Sequence, residues 1–362
     1  MVYLGIDLHR NRSVVAALND NGDVLLSRRI ESRPEAFQRI FGELELGSLS
    51  VAFEATYGWY WLADMLKDAG IEAHMAHPLA TKAIATARVK NDSVDARTLA
   101  HLLRTHLLPE AWIAPTPVRE RQRLARTRTS LVRIRSRLLC QLHGILADHC
   151  IHPPTRTLLC AAGRAFLAGA PLPELERGRV DAAMRLIDEV TAEVQQLDQE
   201  LRAAFAGDAR IGRLVAIPGI GFTTAAIVLA EIGEPGRFAC ADRLCSWAGL
   251  TPTERSSDLQ TRRGHISKQG SRWLRWVLVE AAARPVRDPL LRRFKEGVAS
   301  RRGTKIATVA LARLLLTLCF YALRDDAGCK AFPVRARART SRSADPGALV
   351  VRHDLPQGTV AV

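Results

Sequence analysis

Short apolar runs and polar turns alternate over residues 2–75, and their order constrains the fold more than any other feature of the chain. The first three runs are separated only by polar turn residues, which predicts a meander of antiparallel strands. Two further strands follow, and each is preceded by a helix with apolar residues at helical spacing. The predicted strands are Val2–Leu8, Ser13–Leu18, Val24–Ile30, Ser48–Phe53 and Ile71–Met75, with helices at Pro34–Glu43 and Gly58–Ala69.

Three antiparallel strands followed by helix, strand, helix and strand is the order of a mixed, RNase H-like sheet. Helical crossovers connect parallel strands, so strands one and four should lie side by side. A helix over Asp92–His106, with an apolar stripe that includes Val94, Leu99 and Leu103, completes this unit. The sequence therefore predicts an α/β domain over residues 1–110.

Four carboxylates occur at the ends of these elements. Asp7 ends the first strand and Glu54 follows the fourth, so both should project from one edge of the sheet. Asp92 and Asp95 lie three residues apart on one helix and share a face. Structural alternatives exist: Asp7 as a turn residue, Asp92 as an N-cap and Asp95 as a first-turn acid. Glu54 is harder to explain in this way, because burying a carboxylate is costly.

Taken together, the four carboxylates predict a metal site. Four negative charges that converge without basic partners repel one another, and divalent cations relieve that repulsion. Hard oxygen ligands favour Mg²⁺ or Mn²⁺. Two such ions roughly 3.5–4 Å apart can activate an attacking oxygen and stabilise a leaving oxygen in phosphoryl transfer.

The residues around these carboxylates resemble the motifs of a known family, the RuvC-like, bridge-RNA-guided DEDD transposases of the insertion-sequence one-ten family. The resemblance implies that the four carboxylates hold the catalytic metal ions. Lys90 would position a phosphate, although a solvated lysine explains it equally well. The matching segments are GIDLH at 5–9, FEAT at 53–56 with Gly58 and Tyr60, and KNDSVDA at 90–96.

Positive charge is concentrated after the first domain. Residues 1–110 carry 12 basic against 14 acidic residues, whereas the whole chain has a net charge of +15, so the remainder carries +17. A strongly basic remainder favours a nucleic-acid partner. Over residues 119–137, eight arginines accompany one acid, Glu120, which predicts a surface that follows phosphates rather than a merely solvated helix face. The contacts predicted on this helix are Arg126, Arg133 and Arg137.

Two long helices are predicted in a middle region, residues 111–208. Val118–His149 is basic, and Val180–Phe205 carries apolar residues near heptad spacing. We expect them to pair as a coiled coil, antiparallel within the chain or between chains, with an internal helical bundle as the alternative. Residues 209–328 are predicted to be a mostly helical C-terminal domain, and residues 329–362 a disordered tail.

Residues 214–221, LVAIPGIG, look like a helix-hairpin-helix at the start of the C-terminal domain. Gly219 and Gly221 would permit a tight turn, and the backbone N–H groups of the next helix could hold a phosphate. A plain turn between two helices is the alternative.

The block from Ala248 to Trp276 resembles the C-terminal transposase domain of the same family, in which a serine before a glycine is the nucleophile. Ser257 matches that position in a polar loop, but Asp258 follows it where many members have glycine. Ser256 therefore remains an alternative. Basic residues nearby are expected to offset the charge of the scissile phosphate: Arg262, Arg263, Lys268 and Arg272.

The resemblance implies a transposase that cuts and rejoins DNA through a serine, assisted by Mg²⁺ or Mn²⁺ and guided by an element-encoded RNA. Recombination between two DNA partners predicts a dimer that becomes a tetramer on nucleic acid. The alternatives are a hydrolytic nuclease or Holliday-junction resolvase, and a non-catalytic nucleic-acid-binding scaffold. The N-terminus does not resemble a signal peptide. The longest apolar run, around Val309 to Leu323, is interrupted by Arg313 and too short to span a bilayer, so a soluble, cytoplasmic protein is expected.

Overall fold

The structure is a computed structural model that describes residues 1–44, 49–84, 92–155, 157–257 and 260–324. Three sequence predictions fall outside this part of the chain: the phosphate contact at Lys90, the role of Asp258, and the tail over 329–362.

The N-terminal unit is built on a mixed sheet, as the sequence predicts, but the sheet has six strands where the sequence predicted five, because the two-residue strand β6 is too short to leave an apolar pattern. The strand order is β3-β2-β1-β4-β5-β6, with β1 parallel to β4 and β4 parallel to β5. The neighbours β1–β2, β2–β3 and β5–β6 are antiparallel. The adjacency of the first and fourth strands is therefore confirmed. The strands are β1 (Val2–Asp7), β2 (Arg12–Leu18), β3 (Val24–Glu31), β4 (Leu49–Glu54), β5 (Glu72–Ala76) and β6 (Glu110–Ala111).

One face of the sheet carries the large apolar side chains. Leu4, Ile6 and Phe53 are fully buried there against Phe37 and Leu62, which come from the two helices that follow β3 and β4. Burial of a large apolar side chain contributes about 1.5–3 kcal/mol, so this face supplies most of the stability of the sheet. The helices of the unit are α1 (Pro34–Glu43), α2 (Tyr60–Asp68), α3 (Pro78–Ile84) and α4 (Asp92–Arg104).

The opposite face carries small residues and receives α4. Ala16 and Ala52 are fully buried on this face, and Ala96 of α4 is fully buried against it. Gly5 of β1 lies so close to α4 that a Cβ atom there would come within 1.9 Å of the carbonyl oxygen of Ala96. The absence of a side chain at residue 5 therefore sets how closely α4 approaches the sheet.

The two long helices pair antiparallel within one chain. Arg128 donates to Asp198, and Arg135, about two turns later on the first helix, donates to Thr191. The sequence numbers rise along one helix and fall along the other, so the two helices are antiparallel. This result supports the antiparallel, intramolecular form of the predicted pairing. The second helix begins earlier than its heptad pattern predicts, at Glu174. The helices of this region are α5 (Thr116–Asp148), α6 (Ala161–Gly169) and α7 (Glu174–Ala204).

The C-terminal unit is mostly helical, but the prediction of helices and short loops throughout it is wrong over residues 252–266. Two antiparallel strands form a hairpin there. The segment lacks the apolar alternation of a half-buried strand, because this hairpin is exposed at most described positions. The elements are α8 (Ala209–Val215), α9 (Phe222–Ile232), α10 (Ala241–Trp247), β7 (Pro252–Ser257), β8 (Gln260–Ile266), α11 (Arg272–Ala283), α12 (Pro289–Arg302) and α13 (Thr304–Arg324).

Helix α13 is the one helix among the described residues that is long and apolar enough to cross a membrane by length and composition. This differs from the expectation that the run around Arg313 is too short. Half of the apolar stretch of α13 is buried in the protein, and Leu311, Leu316 and Phe320 belong to the core of the C-terminal unit.

Two arginines connect the sheet to the helical units. Arg119 of α5 packs on the rings of Trp59 and Tyr60 and bonds the Asp64 carboxylate on α2. Arg237 stacks on Trp112, next to β6, and on two aromatic rings of the C-terminal unit. Burial lowers the pKa of Arg237 to about 10. The Arg119 contacts join α5 to α2, and the Arg237 contacts join the C-terminal unit to the segment that follows β6.

Substitution of Gly5 tests the close approach of α4. Gly5→Ala should destabilise the protein by about 1–3 kcal/mol or more, because a backbone carbonyl, not a flexible side chain, occupies the space that the new methyl group needs. Gly42→Ala in α1 is the matched control: its Cβ meets nothing within 4 Å, so the change should be neutral or stabilising by up to about 1 kcal/mol. Denaturant unfolding measures both, and equal effects would contradict the proposed packing.

Candidate metal centre and serine hairpin

The sheet directs two of the predicted carboxylates towards α4. Successive side chains of a strand alternate between faces, so Asp7 shares the face of Gly5, and Glu54 shares the face of Ala52. The register pairs Ile6 with Phe53, which puts Asp7 and Glu54 at matching ends of neighbouring parallel strands. Both carboxylates therefore lie on the face that α4 covers.

Helix α4 brings the other two carboxylates to the same end of the sheet. Asp92 and Asp95 lie in its first turn, where the helix dipole favours negative charge. Ligand atoms of Asp7, Asp92 and His9 all lie within 4.8 Å of one another. This group, which could hold a metal ion, contains two of the four predicted carboxylates, Asp7 and Asp92, and does not include Glu54 or Asp95.

His9 and Arg29 join this group although the sequence analysis assigned neither of them a role. The Nε2 atom of His9 lies 3.1 Å from Oδ2 of Asp7 and 3.9 Å from Oδ1 of Asp92. Arg29 of β3 donates to Oδ2 of Asp92 at 3.1 Å. The signal for His9 was its position two residues after Asp7 in the GIDLH motif. Nothing local to β3 indicated Arg29, since its partner is distant in sequence.

The electrostatics of Asp7 fit a carboxylate that is held ready for a cation. Asp7 is only 7% exposed. Burial raises the pKa of Asp7, and the nearby carboxylates of Asp92 and Asp95 raise it further, whereas His9 acts in the opposite direction. Desolvation and the repulsion by the neighbouring carboxylates therefore disfavour the charged form of Asp7, and His9 offsets these effects only in part among the described residues.

The candidate serine lies at the end of a strand. Ser257 is the last residue of β7, and its backbone pairs with Gln260 of β8. Ser256 is exposed and pairs with Thr261. The structure thus places both serines next to the connection of the hairpin rather than in the predicted loop.

Two glycines lock the base of this hairpin. A Cβ at Gly249 would come within 2.1 Å of the carbonyl oxygen of Gln269, and one at Gly270 within 1.8 Å of that of Trp247. Both glycines have positive φ angles, of 69° and 74°. Arg275 of α11 donates to the carbonyl oxygens of Ala248, Gln269 and Gly270. The serine-bearing hairpin therefore rises from a fixed base.

The predicted basic residues around the serine share this hairpin and its base. Arg262 is exposed on β8, and the backbone of Arg263 pairs with Glu254. Lys268 is exposed in the left-handed conformation with φ 54°, and Arg272 is exposed at the first turn of α11.

A buried carboxylate that the sequence analysis missed joins α5, α9 and α11. Glu231 is 1% exposed and accepts two hydrogen bonds from Arg126, at 2.7 and 2.9 Å. Ser271, the N-cap of α11, donates to the same carboxylate at 2.8 Å. The guanidinium of Arg126, which the sequence assigns to nucleic acid, is thus occupied within the chain. A single acid in the apolar helix α9 was the available signal.

The other predicted nucleic-acid contacts differ in their surroundings. Arg133 stacks on Trp273 and Trp276, and Arg137 is exposed on α5. Gly219 and Gly221 are exposed in the connection between α8 and α9, where Gly219 has a φ of 91°. A Cβ at either glycine would meet nothing within 4 Å, so this connection is open to a ligand.

Two sequence models of known families match the chain. A model of the DEDD domain of the IS110 type, described as a transposase, matches residues 4–151. A model described as the transposase IS116/IS110/IS902 family matches residues 212–296. Together they cover more than half of the chain, and they include the carboxylate group and the serine hairpin.

Curated relatives match over most of their own length. A probable family 20 transposase of Pseudomonas aeruginosa is 29% identical over 85% of this chain and 93% of its own. The transposase for the insertion sequence element IS1328 of Yersinia enterocolitica is 25% identical over 88% and 95%. That for IS1111A of Coxiella burnetii is 24% identical over 85% and 86%.

The fold, the carboxylate group and these matches define a DNA-recombining enzyme of the transposase class. The chain belongs to the IS110 family of insertion-sequence transposases, with the DEDD type of N-terminal domain.

The raised pKa of Asp7 predicts how stability depends on pH without metal. A carboxyl group whose folded pKa lies above its unfolded value contributes stability below the unfolded pKa, and this is lost as pH rises through the folded pKa. Asp7→Asn should remove that loss and flatten the stability of the metal-free protein from acidic to neutral pH. Asp188→Asn is a control of opposite sign, because Arg164 lowers the pKa of Asp188. Urea unfolding in chelator measures both; parallel profiles for Asp7→Asn and wild type would refute this account.

The buried position of Glu231 predicts a large cost for removing its partner. Arg126→Ala leaves an uncompensated buried carboxylate and should destabilise the protein by about 3–5 kcal/mol. The exposed pair Arg179–Glu176 provides the control. Arg179→Ala should cost less than about 1 kcal/mol, because solvent screens an exposed pair. A small effect of Arg126→Ala in denaturant unfolding would show that water reaches Glu231.

Proposed function

We propose that this transposase cuts and rejoins DNA through a serine nucleophile, Ser257, together with a divalent-metal site formed by Asp7, Glu54, Asp92 and Asp95. The observation that carries the proposal is that one chain holds both a carboxylate group that could bind a metal ion and a serine-bearing hairpin with a fixed base, each within a segment that matches a transposase model. The carboxylates lie on the α4 face of the sheet, and the serine lies on a hairpin with a fixed base. A hydrolytic nuclease needs only the first group.

The donor set fits Mg²⁺ or Mn²⁺. Carboxylate oxygens predominate, and the raised pKa of Asp7 reflects a repulsion that a cation would relieve. His9 adds a nitrogen donor to the same group. When bound, a divalent ion would stabilise negative charge on the phosphoryl oxygens. Arg29, next to Asp92, would hold a phosphate close to the carboxylates.

The serine step conserves the phosphodiester bond energy. The Oγ atom of Ser257 forms a bond to phosphorus while one P–O bond of the DNA breaks, and the serine proton ends on the released DNA hydroxyl. A different DNA hydroxyl then attacks the phosphoserine, and its proton returns to the serine. No water is consumed. The cations at Arg262, Arg263, Lys268 and Arg272 would offset the charge of the scissile phosphate.

The nucleic-acid partners follow from charge and from the family. DNA would contact Arg133, Arg137 and the turn at Gly219 and Gly221, in the manner of a helix-hairpin-helix. An element-encoded RNA would guide the choice of DNA, and Lys90 would position a phosphate. We also propose that the N-terminal unit has an RNase H-like, RuvC-like fold; the strand order of its sheet supports this proposal.

Recombination of two DNA partners calls for more than one active site, so we propose a dimer that becomes a tetramer on nucleic acid. Apolar side chains remain exposed on the paired long helices and support self-association. Ile134 of α5 is 45% exposed and Leu186 of α7 is 49% exposed. The serine and the carboxylates would meet in this assembly, with one subunit able to complete the site of another.

A suicide DNA substrate tests the nucleophile. The substrate is nicked so that the rejoining strand is lost, which should trap protein on one DNA end. Wild-type protein with its guide RNA and Mg²⁺ should shift the labelled DNA on a denaturing gel, and proteinase should remove the shift. Ser257→Ala should lose the adduct and retain nucleic-acid binding, whereas Asp92→Asn should fold normally and lose recombination.

Ser256→Ala is the matched control for the adjacent residue. If Ser256→Ala loses the adduct and Ser257→Ala keeps it, the nucleophile is Ser256 and the residue assignment is wrong. If both variants cut DNA at the wild-type rate and no adduct forms, a hydrolytic nuclease or Holliday-junction resolvase accounts for the activity. Retained recombination by Asp92→Asn would remove Asp92 from the metal site.

A further inference from the structure

Two arginines from distant parts of the chain meet on one tryptophan. The Cζ atom of Arg133, on α5, lies 4.5 Å from the ring centre of Trp273 and 5.5 Å from that of Trp276, both on α11. The Cζ atom of Arg272 lies 4.6 Å from the ring centre of Trp273. These four residues, Arg133, Arg272, Trp273 and Trp276, are called the Arg–Trp clamp below.

The two cations of the clamp have no acidic partner among the described residues. Other arginines of α5 are neutralised within the chain: Arg126 pairs with Glu231 and Arg128 with Asp198. No such ion pair to Arg133 or Arg272 occurs over the described ranges. Burial lowers the pKa of Arg133, and the neighbouring guanidinium of Arg272 lowers it further. The fold therefore holds two positive charges close together, and a bound anion would offset the repulsion between them.

The clamp is accessible and lies beside the hairpin. Arg272 is exposed, and the other three residues are half-buried. Arg272 follows Ser271, the N-cap of α11, and lies two residues after Gly270, whose close approach to Trp247 fixes the hairpin base. A ligand on the clamp would therefore lie at the foot of the strand that carries Ser257.

We infer that the Arg–Trp clamp binds backbone phosphates of duplex DNA and holds the duplex at the foot of the serine hairpin. A guanidinium that stacks on an indole ring keeps its N–H edge free, and that edge matches a phosphate in a bidentate geometry. Contacts of this kind position DNA without reading its sequence. The inference rests on the proposed action on DNA, but on neither the nucleophile nor the metal, and it gives Arg272 a backbone phosphate rather than the scissile phosphate as its ligand.

Trp273 acts in this site as a positioning residue. It carries no charge, and it lies against both guanidinium groups. Its loss should let two like charges separate and disorder their N–H edges, which weakens binding without changing the number of charges that meet the DNA. The two kinds of residue in the clamp therefore have distinguishable signatures.

The salt dependence of binding separates these signatures. The affinity of full-length protein for a duplex of arbitrary sequence is measured in chelator at several salt concentrations. Loss of one phosphate contact to duplex DNA should reduce the slope of log affinity against log salt by about 0.9. Arg133→Gln and Arg272→Gln should each show this reduction. Trp273→Ala should lower the affinity at every salt concentration and keep the wild-type slope, and Trp273→Phe should restore part of the affinity.

Two further variants control for folding and for general charge. Arg133→Lys keeps the charge, so it should keep the slope, yet bind less tightly because an ammonium group lacks the planar fork of a guanidinium. Arg179→Gln removes an exposed arginine that already pairs with Glu176, and it should leave the slope unchanged. Melting temperatures identify any variant that fails to fold, and Arg133→Lys then decides the result for that position.

Three outcomes test the clamp separately from the proposed function, and the first two would overturn the clamp. Wild-type slopes in both glutamine variants, with normal DNA binding by wild-type protein, would leave the proposed function standing and remove the clamp. A change of about 0.7 seen only with single-stranded DNA, or a change seen only with RNA, would remove the duplex as the ligand. A reduced slope in the variants, together with absence of a serine adduct in the suicide-substrate experiment, would support the clamp while refuting the serine mechanism.

Discussion

Helix α4 can bring its first-turn carboxylates to the sheet because β1 has no side chain at Gly5. The carbonyl oxygen of Ala96 occupies the space that a Cβ would need. Alanines on the neighbouring strands continue this shallow surface. Asp7 lies two residues after Gly5 and therefore on the same face, so the surface against which α4 packs ends in a carboxylate. Packing on this face and the chemistry at its edge are therefore inseparable, and a larger residue in the surface would separate Asp92 from Asp7.

The distribution of charge inside the molecule follows two opposite patterns. Carboxylates gather at the edge of the sheet, where Asp7 is buried and its repulsion by Asp92 and Asp95 is opposed mainly by His9. Arginines gather on α5, where some pair with acids such as Glu231 and hold the helices together. Others, including Arg133, keep no acidic partner among the described residues. Arginines without an acidic partner are suited to binding a polyanion, and clustered carboxylates are suited to binding a cation. The paired arginines hold α5 against its neighbouring helices.

Local patterns in the sequence were sufficient for much of the fold and failed for identifiable reasons. Short apolar runs bounded by polar turns predicted the first five strands of the sheet, because these signals lie within a few residues of each other. The crossover rule predicted that β1 and β4 are neighbours, because a strand–helix–strand connection restricts how distant strands can pair. The hairpin over 252–266 was missed because an exposed two-stranded ribbon has no buried face to leave an apolar pattern. The early start of α7 was missed because Leu175 is the one apolar residue among positions 174–179, so no apolar stripe marks the first turns.

The sequence by itself determined the order of the first five strands and their helices, the positions of Asp7, Glu54, Asp92 and Asp95 at the ends of these elements, and the membership of the family. These properties are carried by local spacing and by short motifs. Only the tertiary structure decided which distant side chains contact each other. The pairing of Arg126 with Glu231, the approach of Arg29 to Asp92, and the meeting of Arg133 with Trp273 join residues that are 63 or more positions apart. No periodicity records such pairs, since the partner of a long side chain is chosen by how whole helices pack.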